Sequence, residues 1–340
     1  MPQFFATLRA TPIVRDFLAP FIGSAVARQI SVDLSGLTGP SDDEPTPVPL
    51  PVDAAAGWNL YTWQARSDAV VNAIERQDPG LVRWIVEMDR LLEDETTLLR
   101  TPRSWSWDTD TTFDGFFEAL ADNDTTLVVA LWNKDTWAKS MRACDICGWP
   151  MLTEFANFVQ DLETEAEKFG VNVIFEAQNE PDLRWGSLDS PFASGGIISR
   201  YTAEITLAER ISGNYSKTNT STRWIDATAP LVDYTSFHRY GLANTTVDQY
   251  VDWVYNEWSI WRGRKGFAVP FYIGEIGPSS TGSVEFTDAD AATMRDIHAA
   301  LDQDPRFENT YLGMTAHVAN LSETSRGWWD PAFSLSDVVG

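Results

Sequence analysis

The chain has 340 residues with a hydrophobic fraction of 44%, enough to bury one large α/β domain or two small ones. Its charge is lopsided: 30 Asp and 19 Glu stand against 20 Arg and 5 Lys, a net −24 that argues against nucleic acid or an anionic membrane surface as partners. An Asp-rich, Lys-poor surface suits a protein that stays soluble in high salt, where screening removes self-repulsion, and we read the composition as halophilic rather than merely acidic.

In chain order, the first feature is "FLAPFIGSAVA" at 17–27, an apolar run whose Ala25-Val26-Ala27 end resembles a signal-peptide cleavage site. Pro20 and Gly23 interrupt the run and Asp16 precedes it, which makes a signal peptide the poorer reading. With 11 residues it is too short to span a bilayer, and no later segment reads as a membrane span. Residues 1–38 are therefore expected to be a docking or anchor segment, with residues 1–50 available to contact a protein assembly. The Pro- and acid-rich "GPSDDEPTPVPLP" at 39–51 opens a semi-rigid linker over 39–56.

From residue 57 to residue 340 the pattern becomes strand-then-helix. "GWNLYTW" (57–63) predicts a first strand and Ser67 to Arg76 a helix, with Ser67 as N-cap. Further strands are expected at "LVRWIVEMD" (81–89), the β-branched "TTLVVALWN" (125–133) and "VNVIFEA" (171–177). A helix over 150–169 places Leu152, Phe155, Phe158, Val159 and Leu162 on one face. Residues 197–212 read as a helix, "STRWIDATA" (221–229) as strand five and "DYTSFHRY" (233–240) as strand six, with too little chain between those two for a full helix. Helices at 247–262 and 287–303 lead to strands "FAVPFYIGE" (267–275) and "TYLGMTAHV" (310–318). Eight strands alternating with helices predict an α/β fold, a parallel (β/α)₈ TIM barrel.

Cys144 and Cys147 form a lone CxxC, and the three His, at 238, 298 and 317, lie far from it. A structural zinc would need two more ligands, so a loop disulfide or two inert thiols is the better reading and no metal is expected.

Barrel active sites form at the carboxyl ends of the strands, where polar residues interrupt the apolar runs. Those residues are Asn59 on strand one, Arg83 and Glu87 on strand two, Trp132 and Asn133 on strand three, and Asn179 and Glu180 after strand four. Strand six contributes His238 and Tyr240, and strand seven Glu275. Two carboxylates across a cleft are what glycoside hydrolysis needs, one protonated to donate to the leaving oxygen and one ionised to attack the anomeric carbon. Tyr240 and Arg83 would help to keep an attacking carboxylate ionised. Glu176, four residues before Glu180, would point to the same side of a regular strand and sit deeper, where it would need a partner such as Arg83.

"NEP" closing strand four, "SFHRY" on strand six and "FYIGEIG" on strand seven resemble clan A of the retaining glycoside hydrolases, over about residues 57–320. That resemblance implies a (β/α)₈ barrel with Glu180 as acid/base, Glu275 as nucleophile and Asn179 as the contact to the sugar 2-hydroxyl. Supporting roles would fall to His238, Tyr240 and Arg83. It implies a carbohydrate substrate and no cofactor. Where many of these enzymes carry a sugar-platform Trp after strand eight, "GMTAHVAN" has none, and His317 or Trp328-Trp329 would substitute.

Of the 15 Trp, those at 105, 107, 132, 137, 149 and 185 lie in or near strand-end loops and are candidates for stacking on sugars. The loop at 100–115 would wall the cleft. Trp253, Trp258 and Trp261 lie on a helix and are expected to pack against the barrel. The function expected is retaining β-glycoside hydrolysis of an oligo- or polysaccharide or a surface glycan, by an extracellular or surface-displayed protein. The alternative is a glycan-binding or structural barrel displayed on an assembly such as a halophilic virus particle.

Overall fold

The structure, a computed structural model, describes residues 55–61, 68–87, 113–132, 149–176, 179, 211–215, 225, 229, 232–278 and 287–317. All of these belong to one compact unit, Asp53–Gly340. The expected docking segment at 1–38 and all of the linker except Ala55 and Ala56 lie outside the described residues, as do the two cysteines.

Eight strands close into a barrel in chain order, each parallel to its neighbours, with β8 pairing back to β1. They are β1 (Ala55–Tyr61), β2 (Leu81–Glu87), β3 (Thr126–Trp132), β4 (Val173–Glu176), β5 (Ile211–Tyr215), β6 (Tyr234–Tyr240), β7 (Phe271–Gly277) and β8 (Tyr311–Ala316). The helices among the described residues are α1 (Asp68–Gln77), α2 (Asp114–Asp122), α3 (Trp149–Phe169), α4 (Val247–Lys265) and α5 (Asp288–Gln303).

A parallel strand buried on both faces reads as a nearly continuous apolar run, and its side chains still alternate between two environments. Trp58 and Leu60 on β1, Val82, Trp84 and Val86 on β2, and Leu127, Val129 and Leu131 on β3 join one hydrophobic cluster with the helices. The residues between them, among them Asn59 and Arg83, face the barrel interior and are buried there. Trp258 and Trp261 on α4 are buried in the same outer cluster and Trp253 packs against it, as the helical spacing led one to expect.

The helix ends follow their capping residues. Thr246 and Gln249 form a capping box at the start of α4, and Thr287 and Asp290 form one at α5. Gly266 ends α4 in the left-handed region at φ 85°. α2 has no such signal: Phe113 at its N-cap makes no side-chain cap hydrogen bond, and this nine-residue helix was not anticipated at the end of the 100–115 loop.

Strand five is a correction. It is Ile211–Tyr215, pairing with β4 through Phe175 and Glu176 and with β6 through Tyr234 to Phe237. The segment expected to be that strand, 221–229, holds Ile225 in helical and Ala229 in 3₁₀ conformation. Ser-Gly-Asn in "ISGNY" has low strand propensity, so the strand owes its existence to its two neighbours in the barrel. The connection to β6 now spans 216–233, long enough for a helix, and the shortfall expected at that point disappears.

Candidate active site

The site is built around Arg83, which is fully buried on β2. A guanidinium has five N–H donors in a fixed plane, and here each has an acceptor. Nε and Nη2 donate to Glu176 Oε2 at 3.1 and 2.5 Å. Nη2 also donates to Asn179 Oδ1 at 2.7 Å, while Nη1 donates to Asn59 Oδ1 at 2.7 Å and Glu275 Oε1 at 2.8 Å. One cation thereby ties together β1, β2, β4 and β7.

Glu176 is the deeper carboxylate. It is fully buried at the end of β4, and its second oxygen, Oε1, accepts from Ser236 Oγ at 2.9 Å and Tyr272 Oη at 2.6 Å. Burial alone would raise its pKa, but the charge and hydrogen bonds of Arg83 reverse this and lower it, with help from His238 and Tyr272. The expectation that Glu176 sits inside the barrel with Arg83 as partner holds.

Glu275 is the shallower one, near the carboxyl end of β7. Its inward orientation comes from an irregularity. Phe237 on β6 pairs with Ile273, but the next residue, His238, pairs with Glu275, so Gly274 is an extra residue in β7. The same slip appears against β8, where Ile273 pairs with Met314 and Ile276 with Ala316. In a regular strand Tyr272 and Glu275 would face opposite ways; one bulged residue brings both inside, with Ile273 and Ile276 remaining in the outer cluster. Gly274 suits the place, since a Cβ there would lie 2.8 Å from His238 Nε2 and 3.3 Å from Ser236 Oγ.

Around Glu275 Oε2 gather three groups from strand ends. Tyr240 Oη donates a hydrogen bond to it. His238 Nδ1 lies 3.6 Å away and His317 Nδ1 3.5 Å away, beyond good hydrogen-bond length but within strong electrostatic reach. The His317 ring also meets the Tyr240 ring edge-on at 5.6 Å. Burial would raise the Glu275 carboxyl, yet the electrostatic influence of His238, His317 and the Arg83 guanidinium outweighs it and holds the group down at about 2. Arg83 is itself raised, burial being overcome by the two carboxylates. The arrangement keeps a buried carboxylate ionised.

The structure thus brings Asn59, Arg83, Asn179, His238, Tyr240, Glu275 and His317 into one network, all of them named from the sequence. Asn179, just past β4, is anchored by its backbone N–H to Leu131 O at 2.7 Å. Trp132 and Glu87 are paired end residues of β3 and β2. Glu180, Asn133 and Trp185 lie outside the described residues, as do Trp105, Trp107, Trp137 and the Trp328-Trp329 pair. Trp149 is the first residue of α3. Sequence reading did not find Ser236, Tyr272, Gly274 or Thr315, because small or aromatic residues within apolar strands carry no polar signal. Among the described residues no three His, Cys, Asp or Glu are grouped to hold a metal, and no helix is long and apolar enough to cross a membrane.

No sequence-family model matches the chain, and no curated protein matches it by sequence. Solved structures do. A monomeric β-xylosidase from Caulobacter crescentus superposes with a TM-score of 0.54 at 14% identity, over 79% of this chain and 61% of that one. A glycoside hydrolase family 5 enzyme from Prevotella bryantii gives 0.51 at 13%, over 83% and 93%. A double mutant of the Cellulomonas fimi endo-β-1,4-mannanase gives 0.51 at 12%, over 83% and 72%. The chain shares its fold, a (β/α)₈ barrel, with these glycoside hydrolases.

Proposed function

We propose that the protein is a retaining β-glycoside hydrolase in which Glu275 is the nucleophile and Glu180 the acid/base. The observation that supports this best is the surroundings of Glu275: a nearly buried carboxylate held ionised by Arg83 and Tyr240, with His238 and His317 beside it. A structural ion pair would need only Arg83. The further groups on the side of Oε2, one donor and two imidazoles, suit a carboxylate whose charge must be controlled as it bonds and leaves.

In the first step Glu180 gives its proton to the glycosidic oxygen as the C–O bond breaks, and Glu275 bonds to the anomeric carbon. The negative charge on Glu275 is consumed in that bond. In the second step Glu180 takes a proton from water, the water oxygen bonds to the anomeric carbon, and Glu275 leaves as a carboxylate. Arg83 and Tyr240 stabilise that departing charge. Asn179, whose side-chain oxygen is engaged by Arg83, has its amide N–H groups to offer a sugar hydroxyl. The substrate class is a β-linked oligo- or polysaccharide.

The test is a screen of chromogenic β-glycosides and polysaccharides at low and high salt, repeated with Glu275→Ala. Turnover lost in the folded variant and restored by azide, with an inverted glycosyl azide as product, supports the reading. Wild-type activity in Glu275→Ala removes it. Glycan binding by the wild type without turnover would instead favour a glycan-binding barrel.

A further inference from the structure

Asn59 is one of the strand-end residues that the sequence marks for the site, and its hydrogen bonds decide whether it contacts substrate or supports the site. Its Oδ1 accepts from Arg83 Nη1 at 2.7 Å. Its Nδ2 donates to Gly274 O at 3.0 Å and lies 3.1 Å from Thr315 Oγ1 and 3.2 Å from Ala316 O. With only two N–H groups and these acceptors around it, the amide is fully used within the barrel wall. It is buried, at 4% exposure.

The carbonyl that Asn59 holds belongs to the bulged residue. An extra residue takes its carbonyl out of the regular ladder, and a buried carbonyl left without a donor is costly. Gly274 O accepts from two side chains: Asn59 Nδ2 from β1, and Thr315 Oγ1 from β8 at 2.5 Å. Thr315 lies on β8, which pairs with β7, and Asn59 on β1, one strand further round the closed sheet, and neither strand carries one of the carboxylates. The same Asn59 amide then reaches Arg83, which in turn holds Glu275, the residue next to Gly274.

We infer that Asn59, with Thr315, is a positioning residue: it clamps the Gly274 bulge and thereby sets the orientation of Glu275 against Arg83. This rests on the reading of Glu275 as nucleophile for its kinetic consequence but not for its structural one. A misplacement of about 1 Å at a reacting group costs about 10²-fold in rate. Asn59→Leu therefore lowers kcat by about that factor at little changed KM, and Thr315→Val, which keeps shape and touches neither Arg83 nor Glu275 by a hydrogen bond, lowers it by about 10-fold. The double variant falls no further than Asn59→Leu within about 3-fold, because both act through one carbonyl.

The experiment joins kinetics on the three variants to a ¹³C titration of glutamate side-chain carboxyls, with Glu275 assigned by its loss in Glu275→Gln. The clamp predicts that the Glu275 midpoint moves upward in Asn59→Leu and, less, in Thr315→Val. If Asn59→Leu does not fold, Thr315→Val carries the test alone. An unmoved Glu275 midpoint, an effect in KM alone, or additive losses in the double variant would overturn it. If the wild type turns over no glycoside, the proposed activity fails, while the titration still decides whether the clamp exists.

Discussion

Arg83 gives two of its N–H groups to a single oxygen of Glu176, and in that orientation its Nη1 faces Glu275 at 2.8 Å. One guanidinium serves two buried carboxylates placed for different ends. Glu176 is closed in by Ser236 and Tyr272, and every oxygen it has is occupied. Glu275 stands among the strand-end groups Tyr240, His238 and His317, where a substrate would approach. The inner carboxylate aims the cation, and the cation conditions the outer one.

Replacing Glu176 by Gln keeps the shape but removes the charge opposite Arg83. Breaking a buried ion pair costs about 3–5 kcal/mol, and the remaining amide oxygen keeps the loss near the lower end. Urea unfolding of Glu176→Gln is expected to show a destabilisation of about 3 kcal/mol. A midpoint equal to the wild type would mean that Arg83 is held by its other partners.

Tyr240→Phe removes the hydroxyl that donates to Glu275 while keeping the ring against His317. Loss of one such preorganised donor costs about 10²–10³ in kcat. Steady-state kinetics are expected to show a fall of about 10²-fold, mostly in kcat, with an unchanged melting temperature.

Gly274→Ala places a methyl 2.8 Å from His238 Nε2, closer than carbon and nitrogen tolerate. The His238 ring or the bulge must shift. Overpacking of this kind costs about 1–3 kcal/mol, and the accompanying displacement of His238 or Glu275 is expected to lower kcat by at least about 10-fold. Calorimetry and kinetics on the same preparation read both effects.

The pH dependence follows from the lowered carboxyls. Glu275 is held at about 2 and Glu176 is also lowered, whereas an unfolded Glu titrates near about 4.3. Below the unfolded value the denatured chain binds protons that the native site refuses. The stability contributed by these groups is therefore fully present above about pH 4.3 and is lost as pH falls toward the folded values. Unfolding free energy measured from pH 6 down to pH 2.5 is expected to decline for the wild type, with a shallower decline in Glu275→Gln because one of the depressed carboxyls is gone.

Much of this was legible in the residues. The apolar runs at β1 to β4 and β6 to β8, and the capped helices α4 and α5, announce themselves because a strand covered on both faces must be apolar and a helix end must satisfy its N–H groups. Seven polar residues that interrupt those runs, Asn59, Arg83, Asn179, His238, Tyr240, Glu275 and His317, do meet in one network, since a charged or amide side chain inside a barrel needs partners of its own kind. β5 was not legible: "ISGNY" has neither alternation nor β-branched weight beyond Ile211, and only the pairing edges of β4 and β6 make it a strand.

The sequence by itself determined the acidic composition and the polar residues that stand at strand ends, and so which residues to watch. Which way those residues face was settled only in three dimensions. Strict alternation from Tyr272 would turn Glu275 outward, among the helices. The extra residue at Gly274 turns it inward, and the donors that stabilise that bulge, Asn59 and Thr315, lie 215 and 41 residues away in the chain. A hydrogen bond between different strands of a barrel leaves no periodicity behind, so the orientation of the carboxylate is a property of the closed sheet.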